Sequence, residues 1–119
     1  MLKIDFTNLS YDPKWYEFRD PAGNAVEGVR LKIRPYPLSQ ASFALRDGDL
    51  VFSQAEQCKM FRYALVGWDG VVGADGLPLP CIDEVKQKVF DFDLGGIPGF
   101  VLGKLREFRE TLDKTEKNS

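Results

Sequence analysis

Apolar positions along the chain change their period once, near Ser53, dividing a strand-like first half from a helical second half. Leu2, Ile4 and Phe6 alternate with Lys3 and Asp5, the period-two pattern of a strand with one buried face. Asn8 to Pro13 gathers turn-forming residues and reads as a loop. Trp15 to Phe18 is aromatic enough to resume a strand. In the following RDPAGNA, Pro21 presets φ while Gly23 and Asn24 tolerate positive φ, so a hairpin loop is expected. Val29, Leu31 and Ile33 then share one face and Arg30, Lys32 and Arg34 the other, the clearest strand in the chain. Pro35 and Pro37 end it by removing ladder donors. Ser39 to Phe52 admits two readings, a hairpin about Asp47 and Gly48 or a short helix and a loop. The Asp-Gly pair between apolar runs favours the hairpin, with Phe43, Leu45, Leu50 and Phe52 covering a sheet face.

Ser53 and Glu56 match a capping box, in which each side chain satisfies the other's orphan amide, so a helix is expected to start there. Cys58, Phe61, Leu65 and Trp68 form its apolar stripe, and Gly67 and Gly70 mark its end. Val71, Val72, Leu77 and Leu79 flank an Asp75-Gly76 turn and predict a small two-stranded ribbon. Asp69 and Asp75 lack the spacing of a calcium loop. A second helical stripe, Ile82, Val85, Val89 and Phe92, carries Asp83 and Glu84 in its first turn, where carboxylates favour the positive helix end. Pro98 suits the start of a last helix with the stripe Ile97, Val101, Leu105, Phe108 and Leu112. Glu110 with Lys114 and Asp113 with Lys117 would pair on its outer side, and residues 115–119 are expected to fray. The pattern predicts a single α+β domain: an N-terminal antiparallel sheet of three to five strands in residues 1–52, and two or three helices packed on one face in 53–114.

Composition narrows the class. With 119 residues, 44% hydrophobic and 13% aromatic, the chain can bury a core and is not disordered. Its net charge of −2 supplies no global positive field, which disfavours a dedicated nucleic-acid binder. Arg30, Lys32 and Arg34 make the one compact positive row, and a phosphate contact would use it if aromatic residues flanked it. A basic strand face otherwise serves to keep sheet edges from pairing. No apolar run has the length of a membrane span or a leader, so a cytoplasmic protein without membrane contact is expected. Cys58 and Cys81 lack a CxxC spacing and read as reduced thiols.

There is no histidine, which removes histidine acid–base catalysis, Ser-His and Cys-His nucleophiles and histidine metal sites. Dinucleotide, P-loop and hydrolase-elbow motifs are absent as well. Pairs such as Asp91 with Asp93 or Asp83 with Glu84 read as solvated charges, because an acid catalyst needs a raised pKa that spacing does not encode. The expectation is a non-enzymatic protein with no cofactor and no metal.

Four segments in order carry a resemblance: the aromatic Trp15 to Phe18, GVRLKIRP at Gly28 to Pro35, ALVGWDGVV at Ala64 to Val72, and DGLPLPC at Asp75 to Cys81. Together they resemble small tail-region proteins of bacteriophages and prophages, such as tail assembly chaperones and minor tail proteins. The resemblance implies a protein that works by contact, in the bacterial cytoplasm or on the virion. It would transiently cover apolar surface of a tail component or of a neighbouring phage-encoded protein. A self-associating minor tail or baseplate subunit, hence a homo-oligomer, is one alternative. A small regulatory or nucleic-acid-binding module on the Arg30, Lys32 and Arg34 face is another. Aromatic anchors dominate interface energetics, so Trp15, Trp68 and the last-helix residues Phe108 and Leu112 are the candidate interaction residues. Trp68, at the foot of a helical stripe, reads more simply as core.

Overall fold

The computed structural model describes residues 1–4, 6 and 10–117, with side chains through residue 111. Strand β1 (Lys14–Arg19) returns through a tight turn into β2 (Ala25–Ile33), with Trp15 opposite Lys32 and Tyr16 opposite Leu31. The expected turn chemistry is present: Asp20 Oδ1 accepts from the Asn24 amide at 2.9 Å, and Gly23 takes φ +89°. After a single 3₁₀ turn, β3 (Ala44–Arg46) and β4 (Asp49–Val51) form the second hairpin. Asp47 and Gly48 both have positive φ, as a two-residue loop matched to the strand twist requires. The hairpin does not cover the main sheet as the alternation predicts. It forms a separate two-stranded unit on which Leu45 stays 69% exposed.

Helix α1 (Gln54–Ala64) begins at the predicted cap, with Ser53 Oγ accepting from the Glu56 amide at 3.1 Å. The reciprocal half of the capping box is absent. Glu56 is buried and its carboxylate accepts instead from the Ser42 amide at 3.1 Å, tying the second hairpin's approach to the helix.

The predicted helix through Trp68 stops four residues early. β5 (Leu65–Asp69) follows at once and pairs antiparallel with β2, placing Leu31 opposite Trp68 in a sheet of order β1-β2-β5. Leu65 and Trp68 are three apart, and two such residues normally point to opposite faces of a strand. The register slips between Lys32 and Ile33, so Val66 is an extra residue, and this bulge turns both Leu65 and Trp68 into the core. A three-residue apolar spacing therefore fits a bulged strand as well as a helix, and the division at Ser53 is crossed by one strand.

Beyond β5, the Trp68 Nε1 donates to Leu79 O at 2.8 Å and pins the loop across which the predicted ribbon forms. That ribbon is short, with one bridge between Val72 and Pro78 and a Leu79 amide bond to Val71 O at 3.0 Å. In α2 (Asp83–Asp91) only the middle of the expected stripe is covered: Val89 is buried, whereas Ile82 and Phe92 flank the helix exposed. Lys86 is 8% exposed, and its Nζ donates to Arg62 O at 2.8 Å and Leu65 O at 3.0 Å, closing the C-terminal end of α1.

A second 3₁₀ turn leads into α3 (Ile97–Lys117). Ile97, Val101 and Leu105 are buried as its stripe predicts, while the pairs expected with Lys114 and Lys117 lie outside the described side chains. Lys104 with Glu107 and Arg106 with Glu110 make its described ion pairs. Leu31, Ile33, Phe61, Leu65 and Val101 form the fully buried centre, and β1 adds Tyr16 against Phe108 and Phe18 against Phe100. Leu2, Ile4 and Phe6, predicted as a strand, lie outside every described strand and are exposed, because the helices close this core without them. No helix among the described residues is long and apolar enough to cross a membrane.

Candidate interaction surface

Alternation along β1, β2 and β5 sends Tyr16, Phe18, Leu31, Ile33, Leu65 and Trp68 toward the helices. Trp15, Lys32 and Gly67 therefore make one cross-strand row on the opposite face, and Glu17, Arg30 and Asp69 the next. The indole lies across the sheet above Gly67, where a Cβ would be 3.9 Å from Trp15 Cη2 and 3.8 Å from Lys32 Cβ, ordinary van der Waals contact. Trp15 remains 41% exposed, with the Arg30 guanidinium 4.9 Å and the Lys32 ammonium 5.7 Å from its ring centre. Arg30 is also ion-paired to Asp69 at 2.6 Å, both half-exposed.

The band continues past the end of β2. Arg34 Nε donates to Tyr63 O at 2.9 Å, and its guanidinium lies 3.8 Å over the Tyr63 ring. Tyr63 meets Tyr36 edge-on at 5.2 Å, and Lys59 sits 5.8 Å over Tyr36. A side-chain hydrogen bond with Tyr36 holds the Lys59 ammonium above its ordinary pKa, against the smaller effect of desolvation. Cations and rings thus alternate from β1 across β2 onto α1, each cation above a ring quadrupole.

The four candidate residues are not brought together. Trp15 stands on this outer face. Trp68 is on the inner face of the same sheet, 9% exposed, where it holds the Leu79 loop and is a core residue. Phe108 is half-buried with its ring 6.1 Å from Tyr16, also on the inner side, and the Leu112 side chain lies outside the described residues. Sequence reasoning named Arg30, Lys32 and Arg34 but missed Tyr36, Lys59, Tyr63 and Gly67. Lys59 and Tyr63 are i,i+4 neighbours on α1, a spacing that signals one shared helix face, but their meeting with Arg34 depends on how α1 packs.

Apolar side chains are exposed elsewhere too, notably Leu45 on the small hairpin, Leu77 in the ribbon and Phe92, 74% exposed, beyond α2. A cleft of about 490 Å³ runs beside α3, floored by Phe100 and opened by Gly99 and Gly103, with Arg19 and Lys104 at its rim. Another of about 440 Å³ lies between β4 and α3, where Arg109 packs 5.1 Å over Phe52. Burial, and then the neighbouring Arg106, lower the Arg109 pKa.

Neither cleft is lined by a serine, threonine or cysteine. Cys58 Sγ lies 3.4 Å from Gln87 Oε1, and burial pushes the Cys81 thiol pKa up, which disfavours its thiolate. Among the described residues no three His, Cys, Asp or Glu side chains are grouped to hold a metal ion. Compared with protein families, curated proteins and solved structures, the chain matches none.

Proposed function

We propose that this chain is a non-enzymatic protein-interaction domain, and that its partner is a phage or prophage tail component, in keeping with the resemblance of its ordered segments. One observation carries the reading: Trp15 and Arg30 stand exposed on a sheet face that the protein's own core does not use, and the half-buried Arg34 and Tyr63 continue that band past the end of β2 onto α1. Trp, Tyr and Arg are the residue types in which interface binding energy concentrates.

The test is co-expression with the tail proteins encoded beside this chain, followed by size-exclusion chromatography with light scattering. A defined complex is expected, and Trp15→Ala should weaken it about thirtyfold, the loss of a hot-spot side chain, while the variant stays folded. A chain that elutes alone as a monomer refutes the reading. Elution as a stable homo-oligomer with no partner bound replaces it with the self-associating tail subunit.

A further inference from the structure

Resting on the reading above, we infer that the outer sheet face receives an extended acidic segment of the partner protein, whose carboxylates at every second position pair with Lys32 and Arg34 while an apolar residue lies against Trp15. The cations are set for this. Arg30 is already committed to Asp69 at 2.6 Å, whereas Lys32 and Arg34 form no ion pair among the described residues. Lys32 is the last outward-facing residue of β2 and Arg34 lies one residue past its end, where its amide still bonds to Ala64 O at 3.0 Å, so their Cα atoms are roughly 7 Å apart. Alternate residues of an extended peptide have that same repeat, and a chain carrying carboxylates at i and i+2 presents them at matching intervals. The face is cationic on a protein whose net charge is −2, so attraction is local to this band.

A single-stranded nucleic acid fits less well. Base stacking needs bare ring faces. Here the Tyr63 ring is covered by Arg34 at 3.8 Å and Tyr36 meets Tyr63 and Lys59, which leaves Trp15, 41% exposed, to receive a single side chain rather than a run of stacked bases.

The probes are a synthetic peptide with glutamate at every second position around a central phenylalanine, an isomer with its glutamates adjacent, and an oligo-dT strand. Binding is followed by the two indole N–H resonances, since Trp15 reports the face and Trp68 reports the fold. The alternating peptide should shift Trp15 and leave Trp68 in place, bind more tightly than the other two probes, and weaken with added salt. Lys32→Glu should reduce its affinity at least about tenfold. Arg34→Gln is a second variant, read only with an unmoved Trp68 signal because Arg34 also bonds Tyr63 O. No shift at Trp15, tighter binding of oligo-dT, or indifference to Lys32→Glu each overturns the inference. A complex with a tail protein that survives Lys32→Glu removes the acidic segment and leaves the interaction reading intact. Peptide binding that Lys32→Glu abolishes, with no tail protein co-purifying, does the reverse.

Discussion

Lys86→Met tests whether the junction between α1 and β5 depends on a buried ammonium. Methionine keeps most of the apolar stem, so packing changes little, but the two carbonyls of Arg62 and Leu65 lose their donor. A buried acceptor left unsatisfied costs about 1–3 kcal/mol, so the pair sets a loss of roughly 2–6 kcal/mol. The contact with Asp83 at 3.5 Å adds little, because that carboxylate is 80% exposed. Replacing a buried charge by a hydrophobe is often neutral or stabilising when both partners are replaced, but backbone carbonyls stay in place whatever the side chain becomes. For a domain of this size each kcal/mol moves Tm by about 3–6 °C, so a fall of at least about 6 °C is expected by circular dichroism, with a matching drop in the urea midpoint. Lys88→Met, on the exposed side of the same helix, is the control and should change stability by less than about 0.5 kcal/mol. A Lys86→Met variant melting within about 3 °C of the parent would refute the argument that those carbonyls depend on the ammonium.

Three further outcomes can be measured on the same material. Trp68→Ala should cost about 3–5 kcal/mol in urea unfolding, since it empties core volume and frees the Leu79 loop, and an unchanged midpoint would remove Trp68 from the core. Gly70→Ala should cost at least about 2 kcal/mol, because Gly70 has φ +80° and a Cβ there would stand 2.2 Å from Gly28 O; a fully stable variant would contradict this close strand approach. Cys81, whose folded thiol pKa is raised chiefly by burial, favours the fold in its protonated form. That contribution is intact below the ordinary thiol value of 9.0 and is lost as pH rises through the folded pKa. Iodoacetamide labelling of Cys81 mapped by mass spectrometry should therefore be slower at mildly alkaline pH than that of a free thiol such as glutathione, and equal rates would contradict the burial.

What the sequence determined by itself is whatever local chemistry decides. The Asp20 to Asn24 turn, the Asp47-Gly48 turn, the Ser53 cap and the α3 stripe were all legible, because each rests on residues within a few positions of one another. Alternation also separated the faces of β2 correctly, and with them the row Arg30, Lys32 and Arg34. Tertiary structure decided the rest. Leu65 and Trp68 satisfy a helical period and a bulged strand alike, and only the vacant edge of β2 resolves which one forms. Leu2, Ile4 and Phe6 alternate like a strand, yet a strand needs a neighbour's unpaired backbone as well as an apolar face. The aromatic and cationic band depends on pairings such as Arg34 with Tyr63, twenty-nine residues apart, whose contact exists only once α1 is packed beside the end of β2. Periodicity reports which way a side chain faces; which other side chain it meets there is set by how the elements close on one another.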